Sequence, residues 1–148
     1  MIWVGIDTGV HTGLAVWNGK EFTQVDTLPL WRALEVVEEL HREDCVTVVF
    51  EDARLRKWIP RERSLSQFKG RAMGAGSVRR DAQIWEEFCA GKGIPFLPVA
   101  PRPGLTKWDA QTFARVTGWE GRTSNHARDA ALLVFGRANN GAFGAIIQ

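Results

Sequence analysis

Cysteine is scarce in this sequence, and its scarcity excludes two classes of small protein. The 148 residues contain only Cys45 and Cys89, with no CxxC pair and no cluster of cysteine and histidine at metal-ligand spacing. A disulfide framework needs several cysteines, and a structural zinc site needs ligands in closely spaced pairs. We therefore expect neither feature, and we expect both cysteines to be reduced residues of the core.

Long apolar runs are also missing. No stretch approaches the roughly 18 consecutive apolar residues of a membrane span, and Met1 leads directly into a predicted strand without a basic and apolar leader. We expect a soluble, cytoplasmic protein. A chain of 148 residues can form one domain over 1–148 but cannot form two sizeable lobes, and we expect the tail 139–148 to be frayed or docked at an edge.

Acidic residues are almost absent from one segment, although the whole chain has a net charge of only +2. Between Ala53 and Arg80 there are nine basic residues and a single acid, Glu62, which gives this segment a net charge of +8. Charges of one sign around an aromatic residue favour a surface that follows phosphates and stacks on a base. The predicted DNA contacts are Arg54, Arg56, Lys57, Trp58, Arg61, Arg63, Lys69, Arg71, Arg79 and Arg80. On charge alone, RNA or acidic lipid remain alternative partners.

Hydrophobic periodicity predicts an α/β chain that begins with three antiparallel strands. The dipeptide Asn18-Gly19 is a hairpin signal between the second and third strands. A helix with glycines at 70, 74 and 76 either runs unbroken or starts only at Ser77, and we favour the unbroken helix. Strands are predicted at 2–7, 12–17, 21–26, 45–50 and 94–100, and helices at 30–44, 66–90, 106–118 and 126–137. Their order is βββαβαβα, with a short helix before the last one.

Acidic residues end two of the predicted strands. Asp7 closes the first and Glu51 the fourth, and a right-handed crossover between parallel strands would make them neighbours. The last helix offers His126 and Asp129, which share one face because they are three residues apart. Several carboxylates at one place repel one another unless a cation lies between them. The pattern therefore predicts a site for a hard divalent ion, Mg²⁺ or Mn²⁺.

Each of these residues also has an ordinary structural explanation. Asp7 could close a turn, Glu51 could pair with an arginine, His126 could cap a helix, and Asp129 could pair with Arg128 or Arg137. For each residue taken alone, the structural explanation is at least as good as a role in a metal site. The metal site is favoured only when the four residues are considered together. Asp52 is excluded from the site because adjacent strand residues point to opposite faces.

Three segments, GIDTGVHTG, VVFED and HARDAALL, resemble the RuvC family of Holliday-junction resolvases in the ribonuclease H-like superfamily. The resemblance extends over almost the whole chain, whose length is similar to that of phage-encoded members. It implies a five-stranded mixed sheet of order 3-2-1-4-5 with helices on both faces. Two differences are a shorter turn before Thr12-Gly13 and Arg54 at a position that is often aromatic, whose role at the junction Trp58 could take over.

The same resemblance implies a mechanism and a set of partners. It implies a homodimer that cuts four-way DNA junctions at two symmetric phosphodiesters. The glycines of the predicted helix 66–90 would allow close approach of another helix, so we take this helix as the candidate interface. The implied cofactors are two Mg²⁺ or Mn²⁺ ions per site. The implied catalytic residues are Asp7, Glu51, His126 and Asp129, which would also hold the ions, and Lys107, which lies near a basic position at the scissile phosphate.

Two other functions fit the sequence. One is a YqgF-type ribonuclease acting on structured RNA, and the other is a protein of the same fold that binds branched DNA without cutting it. Actin-like kinases share the first motif, but they need a second lobe for which this chain is too short.

Overall fold

The computed structural model describes residues 1–55, 65–101 and 107–138, and within 65–75 it describes the backbone only. The strands are β1 (Ile2–Asp7), β2 (His11–Trp17), β3 (Phe22–Pro29), β4 (Val46–Glu51) and β5 (Phe96–Val99). The helices are α1 (Leu30–Glu43), α2 (Leu65–Lys92), α3 (Ala110–Thr117) and α4 (Asn125–Val134), and a short 3-10 turn covers Ala53–Leu55.

The strands form one mixed sheet in the order β3-β2-β1-β4-β5. β1 and β2, and β2 and β3, pair antiparallel, whereas β4 lies parallel to both β1 and β5. The predicted sheet order and the predicted parallel pairing of β1 with β4 are both confirmed. α1 connects β3 to β4, and α2 connects β4 to β5. In each case the two strands run in the same direction, which is the arrangement that crossover helices of an α/β sheet serve.

The two faces of the sheet carry separate apolar clusters. One cluster joins β1, β2 and β4 to α1 and α2, with Trp85 and Cys89 of α2 fully buried. The other joins the opposite face of the same strands to α4 and to Phe113 of α3. The predicted three-layer arrangement, with helices on both faces, is therefore confirmed. None of the helices in the described ranges combines the length and hydrophobicity that a bilayer crossing requires.

Several predicted boundaries differ from the structure. β3 starts at Phe22, because the side chain of Asn18 accepts hydrogen bonds from the amides of Lys20 and Glu21 and so lengthens the turn. The strand then continues to Pro29, three residues beyond the prediction, because His11 of a longer β2 pairs with it. α2 is unbroken from Leu65 to Lys92, which confirms the favoured alternative.

The remaining corrections concern caps and burial. α3 begins at Ala110, after the predicted start at 106, and Asp109 caps it: its Oδ1 accepts a hydrogen bond of 2.7 Å from the amide of Thr112. α4 ends at Val134, before the predicted 137. Cys89 is buried, and burial raises the pKa of its thiol to about 12, but Cys45 is exposed, so the expectation of two core cysteines is half wrong. The predicted tail 139–148 lies outside the described residues.

Candidate active site

The ends of β1 and β4 place two carboxylates at one edge of the sheet. The parallel register pairs Ile6 with Phe50, so Asp7 and Glu51 are the next residues of the two strands. Ile6 and Phe50 are fully buried in the cluster beneath α1 and α2. Because side chains alternate along a strand, Asp7 and Glu51 point to the opposite face, which α4 covers. This is the neighbourhood that the sequence predicted.

Two glycines allow α4 to lie directly on the strands. A Cβ atom added to Gly5 would be 2.1 Å from the carbonyl oxygen of Ala130, and one added to Gly13 would be 2.0 Å from the carbonyl oxygen of His126. Neither distance is possible for real atoms, so any larger residue would force the helix away from the sheet. Glycine within a strand therefore marks a close backbone approach here. The approach brings the first turns of α4 over the end of β1.

The N-terminus of α4 is fixed by its cap. Ser124 accepts a hydrogen bond of 3.1 Å from the amide of Ala127, and its hydroxyl also bonds that of Thr27 on β3. Such a cap stabilises a helix by about 1 kcal/mol. With α4 held at this end, Nδ1 of His126 lies 2.8 Å from Oδ2 of Asp7. The structure thus brings together two predicted site residues that are 119 positions apart.

Asp129 contacts Lys107. The Nζ atom of Lys107 lies 3.0 Å from Oδ2 of Asp129. This contact, reinforced by the nearby charges of Asp7 and Glu51, raises the pKa of the Lys107 ammonium above its ordinary value. Lys107 is therefore within electrostatic reach of all three acids of the predicted site. Among the described residues Asp129 pairs with Lys107, and with neither Arg128 nor Arg137, the two arginines that the sequence offered.

The carboxyl of Asp7 is in an unfavourable environment for a charge. Its pKa is raised mainly by desolvation, while the hydrogen bond from His126 acts in the opposite direction. The negative charge of Asp129 raises the pKa further, and the ammonium of Lys107 partly offsets this. Two partly desolvated carboxylates that repel each other are stabilised by an added positive charge.

The chemistry of the donor set fits a hard divalent cation. Three carboxylates and one imidazole are ligands that Mg²⁺ or Mn²⁺ accepts, and the Lys107 ammonium already serves as a cation beside Asp129. As the side chains stand, no three acidic, histidine or cysteine groups within the described ranges converge closely enough to ligate one ion. Lys107 contacts one carboxylate oxygen of Asp129, so its ammonium would have to turn away for an ion to bind there, whereas the imidazole of His126 lies beside Asp7 as a further candidate ligand.

Most of the predicted DNA contacts fall outside the described residues. These are Arg56, Lys57, Trp58, Arg61 and Arg63, together with the side chains of Lys69 and Arg71 on the described backbone of α2. Arg79 and Arg80 are exposed on α2, as a DNA contact requires. Their binding to DNA remains a prediction.

Arg54 has a different environment from the one expected of a phosphate ligand. Its guanidinium bonds both carboxylate oxygens of Asp52, at 2.8 to 3.2 Å, and also bonds Glu86 of α2. Asp52 is buried, and its backbone amide bonds the carbonyl of Val99 on β5. Arg54 therefore joins the end of β4 to α2. The only sequence signal of this link was the two-residue spacing of Asp52 and Arg54, and its role on DNA stays a prediction.

The geometry first defines a class of protein. A mixed sheet of order 3-2-1-4-5, with acids at the shared edge of its first and fourth strands and another acid on the covering helix, has the ribonuclease H-like fold. No protein-family model and no curated protein matches the sequence.

Solved structures identify the fold more narrowly. The chain is similar to Thermus thermophilus RuvC in complex with a Holliday junction substrate, with a TM-score of 0.53, 20% identity and 90% of each chain covered. It is similar also to a second Thermus thermophilus RuvC structure, with a TM-score of 0.52, 19% identity and the same coverage. The predicted resemblance to RuvC is thus confirmed at the level of the fold.

Proposed function

We propose that this protein is a metal-dependent endonuclease that resolves four-way DNA junctions. One observation carries the proposal: Asp7, Glu51 and Asp129 meet at one sheet edge, where their charges all act on Lys107. A protein that only binds DNA gains nothing from acids that repel both one another and the phosphates. The similarity of the fold to a RuvC bound to a junction substrate supports the choice of substrate.

The residues of the site have separate roles in this proposal. Asp7, Glu51, Asp129 and His126 would hold Mg²⁺ or Mn²⁺, two ions per site, which when bound supply a hydroxide nucleophile and charge stabilisation for the leaving oxygen. His126, whose Nδ1 faces Asp7, is placed to hold or pass a proton at that oxygen. Lys107 is 74% exposed at its side chain and can turn from Asp129 toward a phosphate, where it would offset the developing charge.

A homodimer is part of the same proposal, because paired cuts in a four-way junction need two sites related by a two-fold axis. The exposed stretch 76–80 of α2 supports the assignment of this helix as the interface. At Gly76 an added Cβ would meet no described atom within 4 Å, so packing within the described chain does not require this glycine. We further propose that the protein works in the cytoplasm of a bacterial or phage-infected cell, with branched DNA reached by its basic segment.

The decisive experiment compares substrates and metals. Labelled four-way junction, linear duplex, RNA–DNA hybrid and structured RNA are each incubated with the wild type and with Asp7→Asn, with and without Mg²⁺ or Mn²⁺. We expect paired nicks in the junction only, dependent on the metal, and absent in Asp7→Asn, which should still bind the junction. Cleavage of RNA or hybrid would assign a ribonuclease of the same fold. Junction binding without any cleavage would overturn the enzyme assignment.

A further inference from the structure

Arg128 is a buried cation that the site described above does not use. It lies on α4 between His126 and Asp129 and is only 8% exposed. Within the described ranges its guanidinium donates to four acceptors, all of them uncharged: the carbonyl of Trp108, the carbonyl and hydroxyl of Thr123, and the side-chain oxygen of Asn125. Desolvating a charge is costly, and here hydrogen bonds to neutral groups offset that cost.

Those acceptors belong to separate parts of the chain. Trp108 precedes α3, Thr123 precedes the cap of α4, and Asn125 is the first residue of α4. One side chain therefore ties the segment 107–109 to the beginning of the helix that carries His126 and Asp129. The Nε bond to the Trp108 carbonyl measures 3.1 Å, and the Nη1 bonds to Thr123 measure 2.7 and 2.8 Å.

The bond to Trp108 is one residue away from Lys107. Lys107 has a long side chain that is 74% exposed, so packing does little to hold its ammonium near Asp129. The ring of Trp108 packs near Phe113 and Phe135 and keeps the segment on the protein. The Arg128 bond holds the Trp108 carbonyl, and with it the backbone next to Lys107, against α4.

We propose that Arg128 is a positioning residue, which holds the 107–109 segment against α4 so that Lys107 reaches Asp129. The importance of this for cleavage rests on the proposed nuclease function, but the placement of Lys107 does not. The two can therefore be tested separately.

The placement is tested by zero-length carbodiimide cross-linking of the whole, metal-free protein, followed by peptide mass spectrometry. The Lys107–Asp129 cross-link should form in the wild type and be absent in Asp129→Asn. In Arg128→Met its yield should fall about fivefold, as expected when a contact of roughly 1 kcal/mol is lost. The cross-link between Lys92 and Glu38, whose atoms lie 3.4 Å apart far from Arg128, is the internal reference and should not change.

A matched control is Arg137→Met. Arg137 also bonds a carbonyl of α4, at 2.8 Å from that of Leu133, but it lies beyond the other end of the helix. The Lys107–Asp129 yield should be unchanged in this variant. If Arg128→Met does not fold, Arg128→Lys keeps the charge but cannot span all three segments, and it carries the same readout. Wild-type cross-linking in either folded Arg128 variant would overturn the proposal.

A double-mutant cycle on junction cleavage tests the consequence for rate. Lys107→Met and Arg128→Met should each lower kcat with little change in KM, and the double variant should be no slower than Lys107→Met alone. Additive losses would show that Arg128 does not act through Lys107. If the wild type cuts nothing, the proposed function fails, while the cross-linking still decides the role of Arg128.

Discussion

Asp7 and Asp52 are two carboxylates at the same edge of the sheet with opposite environments. Desolvation is the largest single influence on both carboxyls, and acting alone it would raise the pKa of each. At Asp52 the hydrogen bonds and charge of Arg54 outweigh desolvation, and the pKa is lowered. At Asp7 the His126 bond does not compensate for burial and for the charge of Asp129, and the pKa stays raised. The protein satisfies one carboxylate with its own cation and leaves the other in need of one.

The same contrast divides two adjacent residues, Glu51 at the end of β4 and Asp52 directly after it, between the proposed site and the structural link to Arg54. Glu51 points to the face of Asp7, and Asp52 is buried beside Arg54. An acid that is fully paired by a guanidinium has no free charge to offer to a metal ion or a proton. We therefore interpret Asp52 as a structural acid and Glu51, on the face of Asp7, as part of the proposed site.

The largest effect is expected on cleavage, and it should distinguish variants of two adjacent residues. Glu51→Gln should lower the rate of junction cleavage by at least about a hundredfold, which is the usual cost of removing a group that contributes to charge stabilisation in the transition state. Asp52→Asn, assayed well below its melting temperature, should remain within about threefold of the wild type. Single-turnover rates at equal bound junction measure both. Equal losses in the two variants would contradict the division of roles between them.

A smaller effect is expected on stability from Asp52→Asn. Removing the charge leaves Arg54 without its buried partner and should lower the free energy of unfolding at pH 7 by about 2 kcal/mol, measured in urea. The lowered pKa makes this contribution present above the unfolded-state pKa and lost as the pH falls through the folded-state pKa. The variant and the wild type should therefore converge in acid. Asp26→Asn, an exposed control, should change stability by less than about 0.5 kcal/mol.

The opposite sign is expected from Asp7→Asn, measured without divalent ions. The raised pKa means that ionised Asp7 opposes folding, so its neutral analogue should stabilise the protein at pH 7. The penalty starts as the pH rises above the unfolded-state pKa and is complete above the folded-state value, so the gain should disappear in acid. A loss of stability at pH 7 would mean that the His126 bond outweighs desolvation and repulsion.

The smallest effect is expected from Glu86→Gln. Glu86 is the outer partner of Arg54, and its side chain is 41% exposed, so water screens its charge. We expect a loss of no more than about 0.5 kcal/mol in urea unfolding. A loss equal to that of Asp52→Asn would show that both carboxylates hold Arg54 equally, and burial would then not be the reason for the stability of this link.

The meeting of Asp7 with Glu51 could be predicted from the sequence pattern, because strand periodicity and crossover handedness are local or general rules, whereas the full sheet order came from the resemblance to the RuvC family. The sequence also placed His126 and Asp129 on one face, because helix spacing fixes that. It did not predict which cation pairs with which acid. Lys107, Arg128 and Arg54 each lie near a candidate acid in the sequence or in the fold. The packing of the backbone decides which of these cations contacts which acid.

The caps show the same limit on a smaller scale. The helix α3 was predicted to start at Thr106, and it starts instead after a cap at Asp109. The choice follows from where Trp108 and Phe113 can pack in the core, which is a tertiary property. The two strand glycines, in contrast, were visible in the motif, but their reason became clear only with α4 in place.

The contact of α4 with Gly5 and Gly13 has a consequence for how the protein opens. The helix cannot slide or tilt on the sheet without separating backbones that touch at both positions, and its apolar side chains are part of the core. Local fluctuations should therefore leave it in place, and its amide hydrogens should exchange with solvent only through global unfolding. His126 and Asp129 would then be assembled with Asp7 in every folded molecule, and loss of the site would coincide with loss of the fold.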